Sequence, residues 1–215
     1  MNNGFFITFE GPEGAGKSTQ VKLLARKFEE LGRDVLLTRE PGGTYIGEEI
    51  RRLVKEVKGE DGACDETELL LFSASRAQLM RRVILPHLEK GGVVICDRFA
   101  DSTTAYQGYA RGWDLDVIQQ MHAIAVTGRW PDLTLVLDVS LTDGTARREE
   151  RELETATEPD RLELESNLFH EKVRQGFLSI AKQSPERVKV INGAQSIEDV
   201  CLAVFSEVDK KVSLG

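Results

Sequence analysis

Cysteine is scarce in this chain and poorly placed for chemistry. Cys64, Cys96 and Cys201 lie far apart, and none makes the C-x-x-C spacing of a zinc or dithiol site. Reduced thiols with packing roles are expected. His87, His122 and His170 lack ligand spacing too and are read as surface or packing residues. No apolar run approaches the roughly 20 residues that cross a bilayer, which excludes a membrane-spanning helix. The opening Met1-Asn2-Asn3-Gly4 has neither the basic region nor the apolar segment of a secretory signal, so a cytoplasmic location is the expectation. Positive charge is also in deficit: 28 Lys and Arg against 36 Asp and Glu give a net charge of −8. That balance argues against a broad nucleic-acid or anionic-membrane surface, so any anion must be bound locally.

What is present is concentrated in Phe5 to Thr19, where an apolar run leads directly into Gly11-x-x-x-x-Gly16-Lys17-Ser18. Phe5, Phe6, Ile7 and Phe9 read as a short buried strand. Ser18 to Leu31 reads as a helix with Val21, Leu24, Ala25, Phe28 and Leu31 on one face. This strand, loop and helix form the context of a phosphate-binding loop. Its glycines let successive N–H groups turn inward, and the helix N-terminus adds roughly +0.5 charge. Gly11, Pro12, Glu13, Gly14, Ala15, Gly16, Lys17, Ser18 and Thr19 are thus candidates to hold the polyphosphate of a nucleotide, in a loop that kinases, GTPases and ATPases share. Lys17 would reach the β- and γ-phosphates, and Ser18 would offer its hydroxyl to Mg2+.

The rest alternates between short apolar runs and helical periodicity. Strands are predicted at 34–38, 93–96, 133–139 and within 187–192. Helices are predicted at 46–57, 66–89 with a bend or early end at Pro86, 102–109, 116–126, 160–183 and 197–212. A parallel sheet of about five strands covered by helices on both faces follows, an α/β fold of the P-loop NTPase type in one domain, 1–215. Residues 142–160 are crowded with glutamates around Arg147, Arg148 and Arg151, and end in a weakly structured gap at 155–159. That stretch reads as a small mobile lid. Asp97 and Asp138 both fall at carboxyl ends of strands, where functional residues gather.

Three further stretches carry a resemblance: Thr38-Arg39-Glu40-Pro41-Gly42-Gly43-Thr44, Asp97-Arg98-Phe99, and Phe72-Ser73-Ala74-Ser75-Arg76. Together with GPEGAGKST and the DRLE at 160–163, they make the chain similar to bacterial thymidylate kinases from Phe5 to near its end. The resemblance implies transfer of the ATP γ-phosphoryl group to thymidine monophosphate, for dTTP synthesis, with Mg2+ bound and in a homodimer. Arg39 and Arg98 would grip the acceptor phosphate. A guanidinium suits that task because it binds two phosphate oxygens at once and keeps its charge. Asp97, preferred to Asp138 on the resemblance, would organise Mg2+ with Ser18 or orient the arginines.

Phe72 and Arg76 are four apart on a predicted helix and share a face. Spacing alone fits a core phenylalanine beside a surface arginine; the family resemblance makes them the partners of the base. Glu13, Ser102, Thr103, Tyr106 and Gln107 resemble the residues lining the sugar and base pocket, with helix capping or turn formation as their simpler roles. Pro41, beside the phosphate, reads first as a turn proline, with an unusual peptide geometry as the alternative. The loop Pro12-Glu13-Gly14-Ala15 has no arginine, so the resemblance puts the catalytic arginine in the lid, Arg151 first and Arg147 second, one helical turn apart. The stretch 152–159 is longer and more acidic than the compact lid of the family.

Other readings share the donor loop. A deoxynucleoside kinase would need a base for the 5′-hydroxyl, for which Glu40 is placed, and another nucleoside monophosphate kinase would differ only at the base. A GTP-hydrolysing regulator would carry an Asn-Lys-x-Asp stretch, which the sequence lacks.

Overall fold

Strand β1 (Phe5–Glu10) runs through the middle of a five-stranded sheet ordered β2-β3-β1-β4-β5, with every pairing parallel. The other strands are β2 (Val35–Arg39), β3 (Val93–Asp97), β4 (Leu133–Asp138) and β5 (Val188–Asn192). The computed structural model describes residues 4–156 and 158–212. The expectation on Met1 to Asn3 therefore lies outside the described residues, as does Thr157 within the 155–159 gap.

The strands show why the sheet is covered on both faces. Along β1, Ile7 and Phe9 point to one side and Phe6 to the other, the two-residue alternation of a pleated strand. Ile7, Phe9, Val93, Ile95 and Leu135 pack with Val21, Leu24 and Phe28 of α1 (Lys17–Glu30) and with Val200, Val204 and Val208 of α9 (Ile197–Asp209). On the opposite face, Phe6, Val94 and Cys96 meet Leu79, Met80, Ile84 and Phe99. Val136 there meets Phe169, Val173 and Phe177 of α8 (Asn167–Gln183). Each fully buried side chain of this kind contributes about 1.5–3 kcal/mol.

Several elements depart from the sequence expectations. The long helix predicted over 66–89 is α3 (Asp65–Leu79), a π-helical turn Met80–Ile84 and α4 (Leu85–Glu89). Pro86 does not end it early. The Leu85 N–H reaches back five residues to Met80 O, and Pro86 falls in the first turn of α4, where no N–H is required. The helix predicted over 102–109 is α5 (Ala100–Thr103) followed by a second π-helical stretch, Thr104–Ala110. The helix predicted from Asp160 starts only at Asn167. Asp160 Oδ1 instead accepts Leu162 N and Glu163 N in its own turn, and Ser166 Oγ caps α8 by accepting Phe169 N. Leu31 follows the end of α1 and is exposed, as are Ile46 and Leu53 of α2 (Tyr45–Lys55), whose buried face is Ile50 and Val54.

Two remaining helices complete the architecture, α6 (Leu115–Val126) and α7 (Leu141–Thr155). α7 carries the acidic stretch, and its first turn lies against the phosphate-binding loop. A Cβ on Gly14, at φ +72°, would stand 2.1 Å from Gly144 O, and one on Gly144 would stand 2.7 Å from Glu13 O. Only glycine at both positions allows that contact.

Candidate active site

Register brings the candidate residues to one edge. Phe9 is level with Asp97, and Asp97 is level with Arg39, so the chain leaves β1, β3 and β2 side by side at their carboxyl ends. The ladder runs one residue further, with Arg98 N donating to Phe9 O and Glu40 N to Asp97 O. Arg98 and Glu40 thereby line the crevice in which α/β sheets bind ligands, with Glu10 buried directly behind it.

Two cavities open there. The larger, about 590 Å3, is lined by Glu13 to Gln20, by Arg39, Asp97, Arg98, Arg147 and Arg151, and by Gly193, Gln195, Ser196, Ile197 and Val200 around the start of α9. α1 begins at Lys17 after Gly16, which is left-handed (φ 84°) and gives no side-chain cap. The uncapped N-terminus therefore presents its donors to this cavity. Lys17 Nζ folds back on the loop, donating to Pro12 O at 2.7 Å and Gly11 O at 3.1 Å. Burial, and next Arg98, lower its ammonium to about 8. The site is short of negative charge, which a polyphosphate supplies.

The smaller cavity is lined by Pro41, Phe72, Arg76, Phe99, Ser102, Thr103, Tyr106, Gln107 and Leu162. It shares Glu13, Glu40, Lys55 and Arg98 with the larger one. Phe72 and Arg76 do project together, but Arg76 is no surface residue. It is 1% exposed, with Nε and Nη2 on Glu40 Oε2 at 2.9 and 2.8 Å and Nη2 also on Thr103 Oγ1 at 2.9 Å. Arg76 Nη1, Glu40 Oε1 and Tyr106 OH are buried without a protein partner, as at a site shaped for a polar ligand. Gln107 lines the cavity with its Nε2 fixed on Glu68 Oε1. The Glu40–Pro41 peptide, read from sequence first as an ordinary turn, is cis.

Arg98 stands where the cavities meet. Its Nη2 donates to Glu13 Oε1 at 2.6 Å, its Nη1 to Gly11 O and Ser102 Oγ, and its guanidinium lies 5.3 Å from the Tyr106 ring centre. Burial opposes charge on Glu13, but Arg98 and then Lys17 outweigh it and hold the carboxyl well below its usual range. Beside the loop, Ser18 Oγ donates to Asp97 Oδ2 at 2.8 Å. The rival Asp138 is committed elsewhere, to Arg174 through two bonds of 2.6 and 2.8 Å. Arg39 is ion-paired with Glu48 on its exposed side. On α7, Arg147 donates to Gly193 O and Arg151 to Glu163 Oε1, while Arg148 turns to Glu163 O and away from the larger cavity.

The sequence model described as "Thymidylate kinase" matches residues 9–204. The chain belongs to the thymidylate kinase family. The thymidylate kinases of Syntrophotalea carbinolica and Geobacter sulfurreducens are 44% and 46% identical to it, over 98% and 94% of this chain and 97% and 94% of their own. The crystal structure of thymidylate kinase from Ehrlichia chaffeensis superposes with a TM-score of 0.77 at 36% identity, covering 96% of this chain and 99% of that one. The chain is accordingly a dTMP kinase, an ATP-dependent transferase that converts dTMP to dTDP. The nucleoside-kinase and GTPase readings give way to this assignment. Glu40, the base considered for a nucleoside 5′-hydroxyl, is buried against Arg76, and burial pushes its carboxyl up to about 7 despite that guanidinium.

Sequence reasoning passed over Arg51 and Lys55, which line the larger cavity of this kinase from α2. Their signal was available: they are four apart and share a helix face, but that helix was read only for its apolar stripe. Arg51 Nη1 donates to Pro41 O, and Lys55 Nζ pairs with Asp160 Oδ2 at 2.5 Å, tying the segment after α7 to α2.

Proposed function

We propose that this dTMP kinase holds ATP in the larger cavity and dTMP in the smaller, and that the phosphoryl group passes at their junction. The carrying observation is the wall the two cavities share, Glu13, Glu40, Lys55 and Arg98. In this reading Gly11 to Thr19 cradle the donor phosphates, with Lys17 leaving its two loop carbonyls to meet them. Arg98 and Arg39 bind the acceptor phosphate, Arg39 exchanging Glu48 for it. Phe72 stacks on thymine, Arg76 offers its unpartnered Nη1 to the base, and Pro41, Ser102, Thr103, Tyr106 and Gln107 close the pocket with Glu13.

The acceptor is already an oxyanion, so these residues position and neutralise rather than abstract a proton. Residues 142–160 act as a lid that carries Arg151 and Arg147 to the transferring group. Ser18 and Asp97 would hold Mg2+. Among the described residues no cluster of three or more His, Cys, Asp or Glu could hold a metal alone. That suits an ion which takes one or two protein oxygens and completes its shell with phosphate and water. When bound, it neutralises charge on the β- and γ-phosphates.

A coupled assay of ADP release over thymidine and the thymidine, uridine, cytidine and guanosine monophosphates tests the assignment. dTMP is expected to be strongly preferred, and Phe72→Ala to lower kcat/KM for dTMP by about tenfold or more through lost stacking and packing. An unchanged kcat/KM and an unchanged preference in that variant would remove the base from the smaller cavity.

The kinase is also proposed to be a homodimer. Leu70 of α3 and Ile124 of α6 are 58% and 72% exposed, and Val117 lies on the same helix as Ile124. Apolar side chains of that size on adjacent helices suit a matching surface. Sedimentation at about twice the 24.0 kDa chain mass is expected; a single-chain mass at assay concentration would remove the dimer.

A further inference from the structure

Glu10, the last residue of β1, is fully buried and lines neither cavity, yet its carboxyl oxygens receive three donors. Oε1 accepts Phe99 N at 2.8 Å and Ser102 N at 3.2 Å, and Oε2 accepts Ser102 Oγ at 2.6 Å. These bonds surround Arg98. Its backbone is left-handed (φ 69°), a conformation that costs a residue with a side chain roughly 1–2 kcal/mol. Arg98 N is fixed by Phe9 O, and the next N–H, of Phe99, by Glu10 itself.

The side chain is held from the same place. Arg98 Nη1 donates to Gly11 O, one residue beyond Glu10, and to the Ser102 hydroxyl that in turn donates to Glu10 Oε2. Both ends of Arg98 are thus referred to β1. We propose that Glu10 is a positioning residue for the acceptor phosphate, holding the Arg98 guanidinium at the junction of the cavities through Ser102 and the Phe99 amide.

This inference rests on Arg98 as the acceptor-phosphate ligand. A residue that merely capped α5 would affect folding without distinguishing ligands. A residue that aims Arg98 affects a ligand with a phosphate and spares one without. Glu10→Gln keeps an oxygen for the two amides but offers an N–H where Ser102 Oγ needs an acceptor. Glu10→Asp keeps the carboxyl group and falls one methylene short.

The experiment is calorimetric titration of dTMP and of thymidine into the wild type, both Glu10 variants and Arg98→Lys, with the KM for ATP measured alongside. The Glu10 variants are expected to weaken dTMP by about tenfold while thymidine affinity and the ATP KM stay within about twofold. If Glu10→Gln does not fold, Glu10→Asp gives the same reading. Equal weakening of dTMP and thymidine, or no weakening of either, overturns the role of Glu10. If Arg98→Lys leaves the dTMP-to-thymidine ratio unchanged, the assignment of Arg98 falls and this inference with it. If Arg98→Lys alters that ratio and the Glu10 variants do not, only the inference falls.

Discussion

Replacing Arg147 and Arg151 together by alanine is expected to lower kcat about 10³-fold or more, with little change in the KM for dTMP. The magnitude follows from the chemistry. In phosphoryl transfer the group in flight spreads its charge over its oxygens, and an arginine that meets that charge contributes mainly in the transition state. Both side chains reach the larger cavity from one face of α7, whereas Arg148 does not. Arg151, nearly half exposed and held by the Glu163 carboxylate, is the one expected to cost more when replaced singly. Arg147 already has a backbone partner in Gly193 O. Steady-state ADP release from the single variants, the double variant and Arg148→Ala decides the matter. Full turnover in all of them would end the lid proposal, and a larger loss at Arg147 would reverse the order.

Arg76→Met is expected to lower stability by about 3–5 kcal/mol at pH 8, because it removes the guanidinium that the buried Glu40 carboxyl faces and forces that group to hold a proton or an uncompensated charge. In a chain of this size that corresponds to a fall in Tm of about 10 °C or more. The pH dependence has a definite sign. Burial already raises the Glu40 carboxyl to about 7 with Arg76 present, against 4.5 unfolded. Removing the guanidinium raises it further. The folded variant then holds its proton more tightly than the unfolded chain, so its stability is retained at low pH and lost as pH rises above the unfolded value. Thermal unfolding at pH 5 and pH 8 should therefore show a smaller deficit at pH 5, the two proteins parting only above about 7, where Glu40 of the wild type ionises beside Arg76. An equal deficit at both, or none, would mean that Glu40 does not depend on Arg76. The KM for dTMP should rise as well, since Nη1 of Arg76 is buried with no hydrogen-bond partner among the described residues.

The phosphate-binding loop was legible because it is local. Gly11 to Ser18 are contiguous, and the chemistry of phosphate dictates their residue types in that order. The parallel sheet was legible from short continuous apolar runs, such as Val93 to Cys96, alternating with helical periodicity, because a strand buried on both faces is apolar throughout. The hidden part is non-local. Glu10 drew no reading and Glu40 was weighed only as a base; their partners lie 89 and 36 residues away and declare themselves only once β1, β2 and β3 stand side by side. Arg76 looked like a surface residue for the same reason. The π-helical turns escaped because they preserve helical composition while shifting its phase, and Pro86 marked only one of them.

The meeting of Gly14 with Gly144 makes the root of α7 and the phosphate loop two arms on one fulcrum. Where each backbone fills the space of the other's missing side chain, a tilt of the helix has nowhere to be absorbed and must be felt at the loop. The acidic far end of that helix can lengthen or change in composition with little consequence for the bearing. The bearing itself has no room for even a methyl group.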